Sequence, residues 1–87
     1  MTDQPTTEAK TIAVIADSLM IEASKIHPSH KLYDDLEADS LDICSMIVDL
    51  EEAFDLEFSD QDMEDVKTVE DVIRVVQTLK LGKAVSA

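Results

Sequence analysis

Few side chains in this sequence are of a kind that does chemistry. Ser40, flanked by Asp39 and Asp42, offers a hydroxyl; Cys44, one helical turn further on, offers a thiol; His27 and His30 offer imidazoles on either side of Pro28 and Ser29. Nothing around Ser40 resembles a nucleophile elbow, and neither histidine stands in a recognisable relation to it, so the serine has no visible general base. The two histidines share a proline-containing loop without further ligands and read as surface polar groups rather than a metal pair. Cys44 reads as a small apolar residue more readily than as a redox centre. The stretch Asp55 to Val66 has the acid density of a calcium loop but not its order: Asp60 stands where glycine is required and Val66 where the closing glutamate belongs. Neither a catalytic residue nor a dedicated metal site is expected, only loose divalent binding by clustered carboxylates.

The elements that must position Ser40 are helical. One glycine, Gly82, and two prolines, Pro5 and Pro28, leave the interior almost free of breakers, and the apolar residues recur at three and four. Ile12, Ile15, Ala16, Leu19 and Met20 mark a first helix from about Thr7 to near Ser24, where Pro28 disfavours its continuation. A loop of roughly fifteen residues follows, long for so small a domain, which Ile26, Leu32, Tyr33 and Leu36 are expected to pin to the core. A second helix starts at Asp39 or Ser40 and runs to about Phe54, with Asp39 as its cap and Asp42 in the first turn. Ser59-Asp60-Gln61-Asp62 opens a short third helix; Thr68-Val69-Glu70-Asp71 is a capping box for a fourth, which buries Val69, Val72, Ile73, Val76 and Leu79 and fades before Gly82. The expected architecture is an all-α four-helix bundle, three longer helices and one short one. A frayed segment 1–6, one folded unit 7–80 and a small-residue tail 81–87 divide the chain. Only Tyr33, Phe54 and Phe58 are aromatic, so the core is mostly aliphatic and deformable.

Composition narrows the function classes. Eighty-seven residues give one small core, burying roughly 60% of the unfolded surface, which leaves little room for a multistep active site. Twenty acidic against seven basic side chains give a formal charge of -13. That charge repels phosphate backbones and anionic lipid, so neither nucleic acid nor membrane is the expected partner; basic protein surfaces are. A single cysteine fits a reducing compartment, and without a leader-like start or an 18-residue apolar run the chain reads as a cytoplasmic monomer. The acid is also localised: between Lys31 and Lys67 there is no basic residue, and 14 of the 20 acids lie there.

On the second helix, Ile43, Met46, Ile47, Leu50 and Phe54 share one arc, enough for the core, while Asp42, Ser45, Asp49 and Glu52 fall on the opposite side. Leu41, Cys44 and Val48 remain as a second apolar strip bordered by Glu51 and Glu52. Either the strip packs under the long loop or a neighbouring helix, or it is a docking strip whose carboxylate rim steers a basic partner.

The run Asp34-Asp35-Leu36-Glu37-Ala38-Asp39-Ser40-Leu41-Asp42 resembles the acyl carrier protein family, whose Asp-Ser-Leu tripeptide opens the second helix. Val48-Asp49-Leu50-Glu51-Glu52-Ala53-Phe54 is similar to the rest of that helix, and Thr68-Val69-Glu70-Asp71-Val72 to the start of the fourth. The resemblance extends over roughly Ile12 to Leu79. It implies that Ser40, with Asp39 and Leu41 beside it, is an acceptor carrying covalent 4'-phosphopantetheine, whose thiol holds acyl groups as thioesters. A separate phosphopantetheinyl transferase would attach the arm, and Asp42, Cys44, Val48, Glu51 and Glu52 would meet acyl-transferring and condensing enzymes through basic patches. The protein is then a carrier of a discrete bacterial type in fatty acid, lipid or polyketide synthesis, and not an enzyme. Two positions depart from the family pattern: Glu37 replaces its usual glycine, which is expected to alter the loop and the approach of the modifying enzyme, and Ser45 replaces a frequent glutamate, which points to a specialised set of partners. An attached acyl chain is expected to slip among the side chains of helices one, two and four. The alternatives are an acidic adaptor or nucleic-acid mimic without a prosthetic group, and an aminoacyl or peptidyl carrier.

Overall fold

The computed structural model describes residues 6–64 and 66–85, with side chains to residue 82. Among the described residues four α-helices follow one another: α1 (Thr7–Leu19), α2 (Ser40–Phe54), α3 (Asp60–Glu64) and α4 (Val69–Val85), with a 3-10 turn at Ala23–Lys25. The only strand-like pairing among the described residues is a single antiparallel bridge between Lys31 and Thr68. The expected frayed start falls mostly on residues 1–5, outside the described residues; Thr6 is the N-cap of α1 and accepts the Ala9 N–H at 3.0 Å.

α1 packs against both α2 and α4. Ile15, Met46, Leu50, Val69, Val72 and Val76 are wholly buried between them, with Ile43, Phe54, Phe58 and Leu79 packed at the margin. Thr11 is also wholly buried, which the hydrophobic pattern did not indicate; its hydroxyl donates to the Thr7 carbonyl at 2.7 Å, so the burial leaves no polar atom unpaired. Phe54 is half-buried at the end of α2, and the Lys10 and Lys80 ammonium groups lie 4.9 and 5.5 Å from its ring centroid, joining α1 and α4 to that end.

Two helix ends differ from expectation. α1 stops at Leu19, not near Ser24: Met20 takes a left-handed conformation (φ 60°), and the N–H groups of Met20 and Ile21 both donate to the Ala16 carbonyl. Ile21 then turns in against the core, the hydrophobic contact that usually accompanies such a cap. Met20, expected on the buried face, is 92% exposed as a result. α4 runs through Gly82 to Val85 instead of fading before it. A lone glycine in an exposed helix weakens it by about 1 kcal/mol relative to alanine, which does not by itself end it.

The connection between α1 and α2 thus spans residues 20–39. Ile26, Leu32 and Ala38 are buried and Leu36 packs against the core, but Tyr33 is 52% exposed and is not an anchor. The rest of the anchorage is backbone. Val69 N–H donates to His30 O (3.0 Å), Glu70 N–H to Pro28 O (2.8 Å) and Leu32 N–H to Lys67 O (2.9 Å). The loop therefore caps the first turn of α4, whose N–H groups have no partner within their own helix. Thr68 and Asp71 complete that start as the expected capping box: Asp71 Oδ2 accepts the N–H groups of Lys67 (3.0 Å) and Thr68 (3.1 Å), and Thr68 Oγ1 accepts the Asp71 N–H at 3.2 Å.

Candidate functional site: the start of α2

Ser40 is the first residue of α2. Asp39 is the N-cap: its Oδ1 accepts the Asp42 N–H at 2.8 Å while Asp42 Oδ2 accepts the Asp39 N–H at 3.2 Å. This reciprocal box fixes where the helix begins, and so where the Ser40 side chain projects. Ser40 is exposed, and its hydroxyl makes no hydrogen bond to a described residue. The backbone N–H groups of Ser40 and Leu41 likewise have no acceptor among the described residues. A phosphodiester on this oxygen would meet two unpaired N–H groups and the positive end of a fifteen-residue helix, a favourable effect of about 0.3–1 kcal/mol. Asp39 and Asp42 oppose it electrostatically, and their carboxylates are already engaged in the cap. The residues present therefore fit a phosphate ester that is accepted but not clamped.

The approach to Ser40 is a tight loop segment. Asp35 and Leu36 N–H groups both donate to Lys31 O (2.9 and 3.0 Å), Asp35 Oδ2 accepts the Lys31 N–H at 2.7 Å, and Ala38 N–H closes on Leu32 O at 3.0 Å. Between these closures Glu37 is forced to φ 56°, the left-handed region. For a residue with a Cβ that conformation costs about 1–2 kcal/mol, a strain that glycine would not carry.

The remaining candidates separate into two groups. Leu41 (77% exposed), Cys44, Val48 (50% exposed) and Glu52 lie on the face of α2 turned away from Met46 and Leu50, together with Ser45. The apolar strip is thus open, and it does not pack beneath the loop or another described helix. Asp42 and Glu51 are half-buried and engaged in the fold: Asp42 in the capping box, and Glu51 through Oε2, which accepts the Phe58 N–H at 2.9 Å and ties α2 to the segment before α3. Asp49, expected on the side opposite the core, is instead half-buried and accepts a hydrogen bond from the Ser18 hydroxyl of α1. Helical periodicity places a residue on an arc but does not say how wide the neighbouring helix is, and α1 covers Asp49.

His27 and His30 face each other edge to plane with ring centroids 5.0 Å apart, and His30 Nδ1 accepts the His27 N–H at 3.2 Å. Among the described residues no three His, Cys, Asp or Glu side chains are grouped to hold a metal ion. No described helix is long and apolar enough to cross a membrane.

The family described as "Phosphopantetheine attachment site" matches residues 9–76, an interval that includes all of α2. The chain is 45% identical over 65 residues to an acyl carrier protein of Chlamydia felis, covering 75% of this chain and 83% of that one. It is 37% identical over 68 residues to an acyl carrier protein of Helicobacter hepaticus, covering 78% and 90%. A third, from Syntrophobacter fumaroxidans, is 42% identical over 65 residues, covering 75% and 80%. The chain belongs to the family of phosphopantetheine-bearing acyl carrier proteins.

Proposed function

We propose that Ser40 is the residue that receives the 4'-phosphopantetheine arm, and that the protein is a carrier and not an enzyme. The observation that supports this most directly is an exposed hydroxyl with no hydrogen-bond partner among the described residues, held at the first position of a capped helix. When attached, the arm supplies a thiol that bonds acyl groups as thioesters. The chain's own contribution is positional. Asp39 and Asp42 hold the helix start, the N–H groups of Ser40 and Leu41 would be available to the ester phosphate, and the neighbouring carboxylates would repel the anionic arm from the surface.

The outward strip of Leu41, Cys44 and Val48, with Glu52 at its edge, is the surface through which we expect the transferase, the acyl-transferring enzymes and the condensing enzymes to seat their basic patches. A net charge of -13 supports fast, salt-sensitive encounters in such pairings. We further expect a monomer acting in the cytoplasm, in fatty acid, lipid or polyketide synthesis, with residues 7–80 as the carrier domain.

The test is direct. Incubation with coenzyme A, magnesium and a broad-specificity phosphopantetheinyl transferase should add one phosphopantetheine to the intact mass of the wild-type chain and nothing to Ser40→Ala. Because the hydroxyl has no partner among the described residues, the stability of Ser40→Ala should lie within about 0.5 kcal/mol of wild type. A wild-type chain that stays unmodified, or a modified Ser40→Ala, would refute the assignment.

A further inference from the structure

We infer that Glu37 is a specificity-determining residue for loading of the arm: its carboxylate is read by a cationic side chain of the phosphopantetheinyl transferase, on the loop side of Ser40. The inference rests on the reading of Ser40 as the acceptor and extends it to a residue outside α2.

Two observations on one residue carry it. The backbone at Glu37 is left-handed because the hydrogen bonds of Leu36 to Lys31 O and of Ala38 to Leu32 O close on either side of it, and because Ala38 is buried. The conformation therefore belongs to the loop and is one that a glycine would adopt without strain. The side chain, in turn, returns nothing to the fold: it is exposed and makes no hydrogen bond or ion pair with a described residue. A strained residue whose side chain has no internal role is a candidate for an external one. The other described non-glycine residues with positive φ, Met20 and Asp55, sit at the C-caps of α1 and α2, where a left-handed residue ends a helix. Glu37 alone among them lies in the segment leading into Ser40.

Location decides what the external role can be. Glu37 is three residues before Ser40, and the capping box between them occupies the carboxylates of Asp39 and Asp42 with backbone N–H groups. Asp35 is likewise turned back onto the Lys31 N–H. Glu37 and Asp34, both exposed and without a partner among the described residues, are then the uncommitted carboxylates of this segment, and Glu37 is the nearer to Ser40 along the chain, complementary to a lysine or arginine of an enzyme that must reach that hydroxyl.

The experiment measures loading of wild type, Glu37→Gln, Glu37→Gly and Glu37→Lys by a transferase that loads the wild-type chain, separating KM from kcat at two ionic strengths. Affinity of the unmodified chains for that transferase is titrated in parallel, and their melting temperatures are recorded. Glu37→Gln keeps the strained side chain and removes its charge, whereas Glu37→Gly removes both. The expected result is a KM and a dissociation constant raised about 3–10-fold in both, and more in Glu37→Lys, with kcat unchanged and a shallower salt dependence. Glu37→Gly should also melt higher than wild type while loading less well. Equal KM for wild type and Glu37→Gln would overturn the inference and leave the Ser40 assignment standing, as would a defect confined to Glu37→Gly. Failure of wild type to load with any transferase would instead remove the Ser40 reading itself.

Discussion

Replacement of Asp71 by asparagine tests the junction that joins the α1–α2 loop to α4. The Asp71 carboxyl is held below its ordinary value of 3.8, first by the hydrogen bond from the Lys67 N–H, against an opposing push from partial burial, and further by the N–H and hydroxyl of Thr68 and by Arg74. Two N–H donors at 3.0 and 3.1 Å converge on one oxygen, Arg74 stands 3.9 Å away, and the side chain is 29% exposed. Asparagine can still offer that oxygen as an acceptor, so what is lost is the charge. A hydrogen bond to a charged group contributes roughly 1.5–3 kcal/mol and one to a neutral group roughly 0.5–1.5, with a further 0.3–1 from the helix dipole. Partial exposure and the sharing of one oxygen reduce this to about 1 kcal/mol, or about 4–8 °C in melting temperature for a domain of this size. Because the folded-state value is depressed, this stability is fully present above the unfolded value near 3.8 and is lost as pH falls through the lower folded value. Urea melts of wild type and Asp71→Asn should therefore differ by about 1 kcal/mol at pH 7 and converge below pH ~3.8. Relief of repulsion among the other acids affects both chains alike and drops out of the difference. A gap that persists unchanged at low pH, or is already absent at pH 7, would refute the assignment of that stability to the carboxylate's charge.

Two further predictions follow from the geometry of α2 and the core. Glu51→Lys and Glu52→Lys should both slow acyl transfer to basic partner enzymes and flatten its salt dependence. Only Glu51→Lys should also lower the stability, by about 1–2 kcal/mol, and with it the melting temperature, because it leaves the Phe58 N–H without its acceptor; equal melting of the two would show that bond to be dispensable. Loading the arm with acyl groups of increasing length should raise the melting temperature stepwise, the stability gain being at most about 0.8 kcal/mol per methylene that enters the aliphatic core. A melting temperature independent of length would mean that the chain stays outside.

The features that were legible in the sequence are those with a local side-chain signal. Asp39-Ser40-Leu41-Asp42 announces a capped helix start, Thr68 and Asp71 announce another, and the spacing of Met46 and Leu50, or of Val69, Val72 and Val76, identifies the buried faces. What was not legible depends on backbone geometry or on the breadth of a neighbour. The left-handed turns at Met20, Glu37 and Asp55 carry no glycine to mark them, so apolar spacing alone extends α1 several residues past its end at Leu19. Conversely, the one glycine present, Gly82, marks no turn and lies within α4. Asp49 and Glu51 sit at the edges of the α2 arc, where only the positions of α1 and of the Phe58 backbone decide that they are engaged within the fold. Exposure of Leu41 and Val48 was one of two open readings, and it needed the structure to choose between them.

The exposed Tyr33 has a practical consequence. The chain has no tryptophan and no second tyrosine, so ultraviolet emission comes from this single phenol. It stands next to buried Leu32, whose carbonyl accepts the N–H of Ala38 two residues before Ser40. An enzyme settling on that end of the molecule would change the solvent around the phenol, and its fluorescence gives an unlabelled optical readout of docking.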